Sequence, residues 1–177
     1  MSRAPAPRSL AAGAALALAF AACSGGVGTQ VGYAPEQPIA YSHATHAGDR
    51  QMDCLYCHFG AEQSRHAGVP PASVCMGCHA QVLKDAPEVQ KIAAAVAQGK
   101  PIAWVKVHRL PDHAWFSHAA HSSAGLKCQG CHGPVETMVR VEQVAPMTMG
   151  WCLDCHRLTG KSEMPVTPPS DCSACHH

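Results

Sequence analysis

Apolar residues recur at helical spacing over only one longer stretch. Val89, Ile92, Ala93 and Val96 fall at i, i+3, i+4 and i+7, one face of an α-helix. Asp85, with Glu88 three residues on, resembles a capping box, and Gly99 and Pro101 supply stop signals, so the pattern predicts a helix over about 86–98. A second apolar run, Leu10 to Ala22, is rich in Ala and Leu and too short for an ordinary membrane span. Residues 24–40 show no periodicity and read as a flexible tether. The remainder predicts short helical turns joined by loops, with negligible sheet.

Composition sharpens this picture. Aromatic residues make up 5% of the 177-residue chain, charged residues 14%, and Gly and Pro together number 29. Such a chain has few large side chains with which to build a core of its own, and a bound cofactor or cross-link is the usual remedy. The apoprotein is therefore expected to be largely unfolded. A formal net charge of +1 carries no nucleic-acid or membrane-surface signature.

The 11 Cys and 13 His account for what is missing. Cys-x-x-Cys-His occurs five times: Cys54, Cys57, His58; Cys75, Cys78, His79; Cys128, Cys131, His132; Cys152, Cys155, His156; and Cys172, Cys175, His176. Frequency multiplication for this composition gives about 0.05 chance matches. In this motif two thiols bond to one c-type haem and the adjoining His becomes an axial ligand of its iron. Five covalent haems, with His58, His79, His132, His156 and His176 as proximal ligands, are the expectation. Zinc is the serious rival, since 17 residues separate Cys57 from Cys75 and 20 separate Cys131 from Cys152. A His after every pair, and an odd number of pairs, argue against zinc ribbons.

An internal repeat organises the motifs. Tyr41-Ser42-His43-Ala44-Thr45-His46 matches Phe116-Ser117-His118-Ala119-Ala120-His121, and each is followed by two haem motifs. The modules span about 41–79 and 116–156. The fifth motif, 172–176, follows a Pro-rich stretch. Two His at i and i+3 share a helix face and can reach two different irons. His43, His46, His118 and His121 are therefore the first candidates for distal ligands. His66 and His108 compete for the fifth place, while His113 and His177 read as solvent-facing or supporting residues. Met147 and Met149, and Trp104, Trp115 and Trp151, read as packing against porphyrin, with a Met ligand the alternative.

Residues 1–22 have the form of a signal peptide, with Arg3 and Arg8 ahead of the apolar run. Phe20-Ala21-Ala22-Cys23 resembles a lipobox, although Phe20 stands where Leu is usual. Cleavage after Ala19-Phe20-Ala21 is the alternative. Cys23 is left over once ten Cys are assigned to haem, which favours lipidation. The expectation is an exported protein, lipid-anchored through Cys23 on the periplasmic side of a bacterial membrane, with a tether over 23–40 and a cytochrome domain over 41–177.

The HxxH-then-CxxCH modules resemble class III multihaem cytochromes of the c3 and c7 type. The phrases SRHAGVPPASVCMGCH, WVKVHRLPDHAWFSHAAH and MGWCLDCHR are similar to the pentahaem cytochrome subunit of alternative complex III and to the multihaem subunit of related quinone reductase complexes. The resemblance implies a small multihaem cytochrome fold, helical and irregular, wrapped around a haem stack, with bis-His ligation of most haems. It further implies iron–sulfur/molybdopterin-like and integral quinone-binding subunits as partners. A soluble cytochrome or terminal oxidase would be the acceptor in a relay from quinol. Some family members use a transmembrane helix; here a lipid would take its place. No nucleophile or acid–base pair suggests that the chain is an enzyme by itself. A free-standing periplasmic or extracellular shuttle is the alternative. A nitrite or hydroxylamine reductase would need an iron left open, which the surplus of His argues against.

Overall fold

The computed structural model describes residues 30–158 and 167–177. The expected signal peptide, Cys23 and residues 24–29 lie outside the described residues, whereas residues 30–40, read as tether, lie against the domain: Ile39 is 5% exposed and Gln37 exchanges hydrogen bonds with the Val105 backbone. Six α-helices are described: α1 (Cys54–Cys57), α2 (Ala72–His79), α3 (Pro87–Ala97), α4 (His118–Ser123), α5 (Gln129–His132) and α6 (Met149–Leu158). A π-helical turn covers Ala44–Asp49, and 3₁₀ turns cover Phe59–Glu62, Val135–Thr137 and Cys172–Ala174. Among the described residues there is no strand, so the helical and irregular architecture expected of a small multihaem cytochrome is what the chain adopts.

Helix α3 is the predicted long helix, and it packs on α2. Val89 and Ile92 are buried, while Val96, at the end of the predicted stripe, is 42% exposed. The capping box does not form. Pro87 occupies the first turn, Ala86 is the N-cap, and Glu88 instead accepts from the Ala40 backbone N–H at 2.8 Å and pairs with Lys91 at 2.6 Å. Proline suits a first turn because its missing N–H is one of the donors a helix start leaves unpaired. Gly99, at φ +62°, ends the helix in the left-handed conformation.

The core is thin. Among the described residues the buried apolar side chains are Ile39, Val89, Ile92 and Met138. Against them Tyr56, Phe59, Val82, Leu83 and Val139 are all more than half exposed. Protein–protein burial on this scale contributes little against the entropy of ordering the chain.

The two repeat modules hold each other reciprocally. The π-turn of the first packs on Val135–Thr137, which follows the second module's first motif; α4 of the second packs on Phe59–Glu62, which follows the first module's first motif. The backbone bonds correspond: Ala44 N–H donates to Met138 O at 2.9 Å, and Ala119 N–H donates to Ser64 O at 3.0 Å. Gly48 lets the π-turn approach, since a Cβ there would fall on the Glu136 carbonyl.

Candidate haem-binding site

Each attachment motif is positioned by a short helical turn. His58 N–H donates to Cys54 O, His132 N–H to Cys128 O and His176 N–H to Cys172 O, at 2.8, 3.0 and 3.0 Å. That turn keeps both thiols and the imidazole of a motif on one local unit. Asp53 caps the first through Leu55 N–H at 2.7 Å, and Asp171 caps the fifth through Ala174 N–H at 3.1 Å. None of the ten motif cysteines is joined to another in a disulfide.

The paired histidines are set with the same geometry in both modules. Ser42 Oγ accepts from Thr45 N–H and Ser117 Oγ from Ala120 N–H, starting each turn. Tyr41 stands edge-on to His43 at 4.8 Å, and Phe116 edge-on to His118 at 4.9 Å. The second His of each pair turns its Nδ1 back onto the Ser carbonyl, His46 to Ser42 O and His121 to Ser117 O, both at 2.8 Å. This leaves Nε2 as the nitrogen free to bind.

Four imidazole pairs then face each other. The ring centres of His43 and His58 lie 6.4 Å apart and those of His118 and His132 6.3 Å apart, both pairs parallel within 6°. His46 faces His79 and His121 faces His156, each at 6.1 Å, with interplanar angles of 60° and 43°. These rings are too far apart to touch. Two imidazoles bonded on opposite sides of one metal atom, at about 2.0 Å per bond and with ring centres roughly 1.1 Å behind the nitrogens, would sit about 6.2 Å apart. Among the described residues no three His, Cys, Asp or Glu converge as a protein-only metal cage requires. The facing pairs, each beside an attachment motif, fit a two-imidazole iron centre whose other ligands would come from a porphyrin.

The backs of these rings are anchored as axial ligands commonly are. His58 Nδ1 donates to Gly68 O at 2.7 Å, His79 to Val82 O at 2.9 Å, His156 to Pro169 O at 2.6 Å and His118 to Arg65 O at 2.9 Å. His43 differs, its Nδ1 being buried without a partner. Burial, with His58 and His46 nearby, lowers the pKa of His43 to about 4; burial, with His108, His118 and His58, does the same for His132. Both are neutral at ordinary pH and keep a lone pair for a metal.

The remaining histidines take other places. His108 Nε2 lies 3.4 Å from His132 Nδ1, the rings perpendicular at 4.4 Å. It stands behind His132 where the other attachment-motif rings have a carbonyl, leaving no room for an atom between them. His66 is exposed, with its backbone N–H on Ser64 Oγ. Neither faces His176. His113 comes within 5.7 Å of His176, yet its own carbonyl accepts from His176 Nδ1 at 2.9 Å. A side chain cannot reach from that carbonyl round to Nε2, so His113 supports the ring from behind. His177 stands beside Trp115 at 5.2 Å. Met149 is 60% exposed at the start of α6, and Met147 has a φ of +48°. The role of His108 is missed by sequence reasoning because the contact bridges 24 residues and no local spacing encodes it.

Comparison with known proteins agrees with this chemistry. Residues 114–177 match the family described as cytochrome c7 and related cytochrome c. Over 98 residues the chain is 42% identical to the menaquinone reductase, multiheme cytochrome c subunit, of Nitratidesulfovibrio vulgaris (strain Hildenborough), covering 55% of this chain and 46% of that protein. The chain thus matches about half the length of this curated relative. The multihaem cytochrome c character read from the motifs, and its electron-transport role, are supported by both matches.

Proposed function

We propose that this chain is a pentahaem electron relay, exported and lipid-anchored through Cys23, acting as a subunit of a membrane quinone oxidoreductase complex of the alternative complex III or quinone reductase kind. The observation that carries the reading is the set of four facing imidazole pairs, each joining a repeat histidine to the histidine of an attachment motif. Haem, when bound, supplies one-electron iron chemistry. The chain supplies the rest. Ten cysteines hold the groups covalently: Cys54, Cys57, Cys75, Cys78, Cys128, Cys131, Cys152, Cys155, Cys172 and Cys175. His58, His79, His132 and His156 oppose His43, His46, His118 and His121, while His176 serves the fifth.

The menaquinone reductase subunit that the chain resembles supports a quinone-linked assembly. A partner with iron–sulfur or molybdopterin-like character and an integral quinone-binding partner complete this proposal. Among the described residues no helix is long and apolar enough to cross a membrane, which is compatible with an acyl anchor. Two measurements test it. Intact mass of protein matured in a strain that assembles c-type cytochromes should show five haems and acyl chains. Purification in mild detergent should recover integral subunits with it. Fewer haems refute the site. Five haems on a chain that purifies alone refute the complex and leave the free shuttle.

A further inference from the structure

The sites are not arranged in the order in which the chain encodes them. His43 and His46 occupy one π-turn entry and face His58 and His79, so the first and second motifs lie on either side of a single turn. Likewise His118 and His121 on α4 face His132 and His156, which makes the third and fourth motifs neighbours.

The reciprocal docking then decides which pair meets in the middle. The π-turn sits on the turn after the third motif, and α4 sits on the turn after the first. His118 is tied at both its N–H and its Nδ1 to Arg65 O, in the loop that follows the first motif. The first and third motifs are thus related by an approximate twofold axis passing between them, and the second and fourth lie outward from it. The fifth attaches beyond the fourth. Pro169, three residues before Cys172, accepts from His156 Nδ1 at 2.6 Å. Trp115 N–H, on the approach to α4, donates to Cys175 O at 2.7 Å.

The thiols of Cys54 and Cys128, from the first and third motifs, also meet side chain to side chain. We infer that the five haem sites form an unbranched line in the order second, first, third, fourth, fifth motif, so that electrons enter and leave at the His79 and His176 ends. The inference rests on the haem reading above and deepens it. The first motif is then an interior site, and the partners of the relay dock at α2 and at the C-terminal turn.

The test is an experimental structure of the mature holoprotein, by crystallography or electron microscopy, in which iron–iron distances are ranked. The expected result is that the four shortest distances join second to first, first to third, third to fourth and fourth to fifth, with the second and fifth irons farthest apart. Five haems with the second nearest to any site but the first, or the fifth nearest to the first, overturn the order while leaving the cytochrome reading intact. A mature chain without haem overturns both.

Discussion

His108 offers the sharpest single test of how the site is built. Replacing it with Ala removes the acceptor facing His132 Nδ1 at 3.4 Å and touches no attachment cysteine. Burial lowers the pKa of His108, so it is a neutral ring able to accept at Nε2. A long hydrogen bond between neutral groups contributes about 0.5–1.5 kcal/mol. An imidazole with such an acceptor behind it is more basic and favours ferric over ferrous iron. Taking tenfold as about 59 mV for one electron, its loss should raise the potential of the third haem by about 20–60 mV. A spectroelectrochemical titration would show one component shifted and four unmoved, and His108→Gln, which keeps an acceptor, should recover part of the shift. Conversion of one haem to a high-spin form in His108→Ala would refute the reasoning, because His108 would then be a ligand. Five unmoved potentials would show the contact to be idle.

Other outcomes follow from the same geometry. His43→Ala and His118→Ala should each turn one low-spin iron high-spin, read in the visible and electron paramagnetic spectra, without changing the haem count by mass; a lost haem or an unchanged spectrum contradicts the pairing. Ile92→Ala, at a site 7% exposed, should destabilise the holoprotein by about 2–4 kcal/mol in denaturant melts. Gly48→Ala, whose new Cβ would meet the Glu136 carbonyl, should cost about 1–3 kcal/mol and loosen the contact between modules, measured by hydrogen exchange over 44–49 and 135–137. Chain matured without haem should lack a cooperative melt, since Ile39, Val89, Ile92 and Met138 are all the buried apolar side chains among the described residues. If Cys23 carries the lipid as proposed, Cys23→Ser should remove the acyl chains from the intact mass; unchanged acylation would show that another residue is modified.

Local geometry is legible in this sequence and distant geometry is not. A motif closed by one i→i+4 turn announces itself by spacing, as does a pair of His on one face. The long helix is readable from its apolar stripe to within a residue or so, ending where Gly99 requires. Its start misleads, because Asp85 and Glu88 have the spacing of a capping box while Pro87 and the Ala40 N–H decide where Glu88 goes. The exchange of contacts between modules depends on surfaces 53 or more residues apart, as between His118 and Arg65, and no periodicity records it. His113 shows the same limit: its carbonyl and its ring both lie near His176, and only the position of the carbonyl separates a supporting residue from a ligand.

The reciprocal grip of the two modules also bears on how the fold could have arisen. A chain carrying one such module would have its π-turn or α4 without the surface it packs on, and that surface would be supplied by a second copy across a twofold axis. Joining the copies through residues 80–115 makes the encounter intramolecular. The effective concentration of one half for the other then depends on the connecting segment rather than on how much protein the cell makes. By the same logic a polypeptide cut within that segment should reassemble from its halves, while either half expressed alone should pair with itself.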